Sequence, residues 1–128
     1  MINLVWIKKN QNRKRENIMA NNPILMTKVK NTINKQKPGM NFYLRNISIN
    51  GVKKGCSGFV ENPANGSIVY LTTEENTIGP NSHMYRYADH VKDYSGYCNR
   101  WAKGYDALVV SVCQLLDQLP ADVNDFRI

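Results

Sequence analysis

The sequence of 128 residues has few of the features that identify an enzyme or a membrane protein. Its three cysteines are odd in number and form no C-x-x-C pair, which excludes a full disulfide framework and a paired zinc knuckle. No apolar run approaches the roughly 20 residues that cross a bilayer, and there is no secretory signal pattern, P-loop or dinucleotide-binding glycine motif. We therefore expect a cytoplasmic protein with reduced thiols, no cofactor and no membrane partner.

The positive charge of the chain is concentrated at one end. The formal net charge is +7, and +4 of it lies in residues 1–18, where five Lys and Arg residues face one Glu. Residues 19–128 hold twelve basic and nine acidic residues, a balance of only +3. This balance is weak support for a polyanionic partner of the domain itself.

Residues 1–18 have three interpretations. They form a disordered basic arm that binds nucleic acid, a solvated tail without a role, or a stretch upstream of a true translation start at Met19. The third interpretation has a specific argument, because Arg15-Glu16 can be encoded AGG-GAG, a purine-rich ribosome-binding sequence at a suitable distance from the Met19 codon. The domain organisation that we expect is a tail at 1–18 and one α+β domain at 19–128.

The first element is predicted to be a helix over residues 22–36. Asn22 suits the N-cap and Pro23 the first helical position. An apolar stripe runs along one side at four-residue spacing, and Pro38-Gly39 ends the helix. The stripe consists of Leu25, Val29 and Ile33.

Strands follow the first helix. Phe42 and Leu44 share one face of the first strand, and the apolar phase slips by one residue at Asn46, which predicts a bulge. Asn50-Gly51 predicts a type I′ hairpin turn, and the return strand at about 52–61 carries two glycines, Gly55 and Gly58, that favour a close approach of backbones. The stretches SIVYLTT and HMYRYAD predict a third and a fourth strand.

The last predicted element is a long amphipathic helix over about residues 100–119, with Asn99 as its cap and Pro120 at its end. Its apolar stripe steps by four and three residues and consists of Trp101, Tyr105, Leu108, Val112, Leu115 and Leu119. We expect Leu25, Val29, Ile33, Leu108, Val112 and Leu115 to be buried. The fold class is therefore α+β: an N-terminal helix, an antiparallel sheet of three to four strands, and a C-terminal helix packed on the same sheet face.

The stretch DYSGYCNRWAKGYD, residues 93–106, is rich in aromatic and cationic side chains. Trp101 and Tyr105 lie on the predicted helix stripe, so both are expected in the core. Tyr94 and Tyr97 flank a Ser-Gly turn, and they either fold back as a lid or face outward beside Arg100 and Lys103. The candidate binding residues are therefore Tyr94, Tyr97, Arg100 and Lys103, and the helix start at residue 100 adds backbone N–H groups that suit an anion.

Catalytic and metal sites have little support in the sequence. Cys98 and His90 lie in one stretch, but no oxyanion signature accompanies them. Four possible zinc ligands exist by number, yet their spacing contains no paired ligands. We assign no catalytic residue and no metal site, and we expect the protein not to be an enzyme.

Two classes of function remain. The first is a small non-enzymatic protein-binding accessory or inhibitor module. Asn, Lys and Ile are frequent and their codons are AT-rich, which favours an origin in a mobile element such as a phage or plasmid. The second is a nucleic-acid-binding module that uses the basic tail and the Tyr/Arg loop. A protein partner is favoured, because the tail carries more than half of the net charge; the sequence does not indicate an oligomeric state.

Overall fold

A computed structural model describes residues 23–74, 81–96 and 98–119. The basic tail at 1–18, the proposed start at Met19, the predicted cap Asn22 and the loop residue Tyr97 lie outside the described residues. The elements in chain order are helix α1 (Met26–Gln36), strands β1 (Asn41–Ile49), β2 (Val52–Asn62), β3 (Ser67–Thr72), β4 (Ser82–Tyr87) and β5 (Arg100–Lys103), and helix α2 (Tyr105–Leu116).

The five strands form one antiparallel sheet in the order β1-β2-β3-β4-β5, and both helices pack against it. The α+β class is confirmed, with one strand more than the upper number expected. The core lies between the sheet and the helices, where Val60 and Val69 of the sheet meet Val29, Ile33 and other apolar residues of the helices. The helices leave the other face of the sheet open.

Helix α1 is held at its start by side chains of the sheet. The Met26 N–H donates to Asn46 Oδ1 at 2.9 Å, and the Thr73 hydroxyl donates to the Ile24 carbonyl at 2.6 Å. Leu25 is the N-cap residue and is only half-buried, which corrects the expectation that it is a full member of the buried stripe. Because α1 begins after Leu25, this side chain lies at the helix margin.

The β1–β2 hairpin has the predicted type I′ turn, since Asn50 and Gly51 both have positive φ, 53° and 79°. The register shifts between Ile47 and Ser48, one residue beyond the predicted bulge position. Gly58 has a φ of 146°, and a Cβ there would overlap the carbonyl oxygen of Tyr43 on the facing strand. The prediction of close backbone approach in β2 is therefore confirmed.

The prediction that the last helix begins at residue 100 is wrong. Residues 100–103 form strand β5, which pairs with β4 through Met84 opposite Trp101. Gly104, with a φ of 91°, turns the chain from strand to helix, and α2 begins at Tyr105. Trp101 therefore lies on the sheet and is 44% exposed instead of buried in the core.

The middle of the predicted helical stripe behaves as expected, but its end does not, because α2 ends at Leu116 and Leu119 is 40% exposed. Leu108, Val112 and Leu115 are buried, and Tyr105 is half-buried against the core. Side chains of the sheet region donate hydrogen bonds to the end of α2, because its last carbonyl groups have no partner within the helix. The donors are Asn62 and Asn65 to the Leu116 carbonyl, and Ser67 and Tyr87 to the Leu115 carbonyl, at 2.8 to 3.1 Å.

Candidate functional site

The candidate site is the face of the sheet that carries no helix, called here the open face. Residues directly opposite each other in antiparallel strands share a face. The register aligns Tyr43, Phe59, Tyr70 and Arg86 across β1 to β4, and Met84 with Trp101 across β4 and β5. By strand alternation, Arg45, Ser57, Thr72 and Lys103 belong to the same face.

An aromatic cluster covers the middle of the open face. Phe59 is buried, and its ring centroid lies 5.2 Å from that of Tyr70 and 5.3 Å from that of Tyr94. Tyr94 meets both rings edge-on, yet its side chain remains 61% exposed. Tyr94 is therefore both a lid over Phe59 and part of the outer surface.

Arg86 is buried beneath this cluster, with only 2% of its surface exposed. Its guanidinium lies 4.8 Å from the centre of the Tyr70 ring, donates from Nη2 to the Asp93 carbonyl at 2.7 Å, and lies 3.7 Å from Asp93 Oδ2. A charge buried to this degree needs such partners, because desolvation otherwise makes it costly. Arg86 thus ties the loop of residues 88–96 to the sheet.

Asp93 organises that loop from the other side. Its carboxylate accepts the backbone N–H of Asp89 at 2.9 Å and that of Ser95 at 3.0 Å. Burial opposes the ionisation of Asp93, but the hydrogen bonds from Asp89 and Ser95 and the charge of Arg86 outweigh it and hold the pKa of Asp93 well below its usual range. The carboxylate is therefore ionised at neutral pH, and its hydrogen bonds fix the position of Tyr94, which follows Asp93 in the chain.

A cleft of about 650 Å³ lies beside the aromatic cluster. Its apolar lining comes from Tyr70, Met84 and Trp101, and its polar lining includes the hydroxyl groups of Ser57 and Thr72. Burial raises the pKa of Tyr70, opposed by a hydrogen bond with Ser57 and by nearby Arg charges, so its phenol stays protonated. The volume lies within the roughly 300–1,000 Å³ of ordinary ligand pockets.

Two opposite charges border the cleft. Arg45 on β1 and Glu74, just after β3, both line it. Within the described chain, neither side chain forms a salt bridge. A cation and an anion that form no salt bridge among the described residues, at the edge of a cleft with mixed polar and apolar lining, are available to groups from outside the molecule.

The sequence-predicted binding residues do not lie together. Tyr94 and Lys103 lie on the open face and are exposed. Arg100 is opposite Tyr85 in the register and lies 5.7 Å from the centre of the Tyr87 ring, on the side of the sheet that carries the helices. Tyr97 lies outside the described residues. The anion site expected at residue 100 is wrong, because that residue begins a strand and not a helix.

The possible nucleophile pair is not assembled. His90 accepts the backbone N–H of Lys92 at Nδ1, and no hydrogen bond of the described residues joins it to Cys98. Cys56 is fully buried, and burial raises the pKa of its thiol to about 11 against a lowering effect of Thr73. Among residues 23–74, 81–96 and 98–119, no three His, Cys, Asp or Glu side chains form a group that suits a metal ion.

Several residues of the open face were missed by sequence reasoning. Trp101 is predicted on a helix, and Arg45 and Met84 lie in predicted strands for which the sequence indicates no function. One signal was present: Trp101 and Lys103 alternate with Arg100 and Ala102, and Gly104 interrupts the helical pattern.

Comparisons of the chain with protein-family models, with curated proteins and with solved structures found no match. In the described part of the chain, neither helix has the length and apolar character needed to span a membrane. The functional interpretation therefore depends on the open face alone.

Proposed function

We propose that this chain is a non-enzymatic protein-binding module and that the open face is its binding surface. The observation that carries the proposal is Trp101, which is 44% exposed beside a cleft that it shares with Met84 and Tyr70. Tryptophan, tyrosine, methionine and arginine are the residues enriched at the centres of protein interfaces. Monomeric proteins rarely expose large apolar side chains together on one face, so the exposure of Trp101 beside Met84 and Tyr70 supports a binding role.

The surface is pre-organised for binding. The contact of Tyr94 with Phe59 and the Arg86–Asp93 ion pair hold the middle of the open face in one arrangement. A partner therefore orders few side chains of this chain when it binds, which lowers the entropic cost of association. An apolar side chain of the partner would enter the cleft, and polar groups of the partner would meet Arg45 and Glu74.

Nucleic acid is the second candidate, and the charge of the open face argues against it. Bases could stack on Trp101 and Tyr70. Phosphate recognition, however, depends on several cations that act together, and the cleft offers Arg45 together with the opposing Glu74. A protein partner suits this mixed charge better.

The small chain and its thiols suit a cytoplasmic role. No disulfide joins Cys56, Cys98 and Cys113, which suits a reducing compartment. An accessory or inhibitor protein of a phage or plasmid would need a compact binding face and no catalytic group. We include this role in the proposal, supported by size and composition alone.

The test is site-specific photo-crosslinking in the native host. A benzophenone amino acid replaces Trp101 in one variant and Val110 in another, because Val110 on α2 is equally exposed, at 46%. We expect a discrete protein adduct from position 101 and none from position 110. The purified partner should then bind Trp101→Ala at least about tenfold more weakly than wild type.

Other outcomes would decide against the proposal. Equal adducts from positions 101 and 110, or unchanged partner affinity in Trp101→Ala, would remove the open face from binding. An adduct that nuclease digests, with affinity that falls steeply as salt rises, would show nucleic-acid binding instead.

A further inference from the structure

The cleft carries one charge of each sign, so the cleft of one copy is complementary in charge to the cleft of a second copy. Arg45 and Glu74 line the same cleft and have no ionic partner among the described residues. In a dimer with twofold symmetry, any contact of one residue with another occurs twice, with the roles of the copies exchanged. A twofold axis through the cleft would therefore form the Arg45–Glu74 pair twice, with the roles of the two copies exchanged.

We propose that a second copy of this chain binds the open face, in a symmetric face-to-face dimer where Arg45 of each copy pairs with Glu74 of the other. The inference rests on the proposed protein-binding function and names a partner for that same face. The loop that carries Asp93 and Tyr94 covers Phe59 and Arg86 on this face, so the two copies would meet over the cleft beside that loop and not across the whole sheet. Trp101 and Tyr70, which line the cleft near this axis, would then be covered by the same groups of the other copy.

The area of the face predicts a weak, reversible dimer. Five strands of 4 to 11 residues, about 4.8 Å apart with roughly 3.3 Å per residue, present a face of roughly 20 Å by 24 Å, part of which the loop of residues 88–96 covers. Specific interfaces of standard size bury about 800 Å² per partner, so this one lies at or below that size. Affinity in the micromolar range is therefore expected, and another protein could displace the second copy.

The experiment uses the full chain and a pair of charge reversals. Sedimentation velocity over about 1–500 µM should show wild type passing from monomer to dimer. Arg45→Glu alone and Glu74→Lys alone should each dimerise at least about tenfold more weakly, because each homodimer places like charges together twice. An equimolar mixture of the two variants should recover the wild-type affinity, because both contacts in the mixed dimer join opposite charges.

Lys30→Glu is the matched control, because Lys30 is exposed on α1, on the other side of the sheet. It should dimerise like wild type, and circular dichroism should show the same fold in all variants. Trp101→Ala should also weaken dimerisation, because it removes contact area while the charges of Arg45 and Glu74 stay unchanged. Recovery in the mixture, and not in either variant alone, would establish the pairing between copies.

A wild-type protein that stays monomeric to about 500 µM, or charge reversals that dimerise like wild type, would exclude this dimer. The proposed function would stand if the crosslinker at position 101 still captured a different protein. It would fail together with the inference if position 101 captured neither this chain nor another protein.

Discussion

Arg86 and Asp93 form a buried ion pair between strand β4 and the loop that carries Tyr94. Arg86 is 2% exposed and Asp93 6% exposed, and Nη1 lies 3.7 Å from Oδ2. The pair lies on the open face of the sheet, where the aromatic cluster shields it from solvent. It holds the loop and the aromatic cluster in position, and its charge state therefore links the proposed binding surface to pH.

The folded protein should lose stability in acid through Asp93. The pKa of Asp93 is lowered on folding, so its contribution is fully present above the unfolded pKa of about 4. That contribution is lost as the pH falls below about 4 towards the folded pKa, because the unfolded chain binds the proton first. Urea denaturation at a series of pH values should show this loss, reduced in Asp93→Asn.

The same variant tests the pair at neutral pH. Asp93→Asn removes the Asp93 charge from the buried Arg86 guanidinium, which should cost about 3 kcal/mol of unfolding free energy. Parallel stability curves for wild type and Asp93→Asn between about pH 4 and pH 2 would contradict the assignment.

Gly58→Ala should be strongly destabilising. The new Cβ would overlap the Tyr43 carbonyl oxygen and lie 2.8 Å from the Leu44 Cα, at a φ that alanine rarely adopts. We expect a loss of about 3 kcal/mol or failure to fold. Gly66→Ala is the control, because its φ is also positive but no atom lies within 4 Å of the new Cβ.

The control should lose only about 1 kcal/mol in urea denaturation. Similar losses in both variants would mean that backbone conformation alone, and not the close approach of β1 to β2, decides the cost.

Trp101→Ala should change stability little. The side chain lies on the open face and is 44% exposed, so we expect a loss of about 1 kcal/mol or less. Leu108→Ala, in the buried face of α2, should cost about 3 kcal/mol. Thermal and urea unfolding compare the two, and a loss at Trp101 as large as at Leu108 would return Trp101 to the core.

Cys56 should resist alkylation. With a pKa of about 11, roughly a thousandth of the thiol is ionised at pH 8, and the side chain is fully buried. Iodoacetamide followed by peptide mass spectrometry should find the half-exposed Cys98 modified first and Cys56 modified only on unfolding. Rapid modification of Cys56 in the native protein would show that the β2 region opens.

The local elements of the fold could be predicted because single residues determine them. Asn50-Gly51 requires positive φ at both positions, and the alternation of Phe42 and Leu44 assigns them to one face of a strand. The buried positions of α1 and α2 also follow from their spacing. Val29 and Leu108, for example, are both 1% exposed.

The site could not be predicted, because its residues meet through pairing of distant strands. Trp101 and Tyr105 are four residues apart, so a strand that leads into a helix imitates a longer helix. Only the pairing of Trp101 with Met84 assigns it to the sheet. The burial of Arg86 depends on Asp93 folding back seven residues later, which no periodic pattern of the sequence records.

The anchored end of helix α2 has a practical consequence for surface-based binding measurements. Tyr87 and Ser67 hold the Leu115 carbonyl, so the described chain ends, at Leu119, on the side of the sheet that carries the helices. A biotin or fluorophore attached near that end would leave the opposite side unobstructed. A sensor chip loaded in this way would present every molecule with Trp101 facing the flowing analyte.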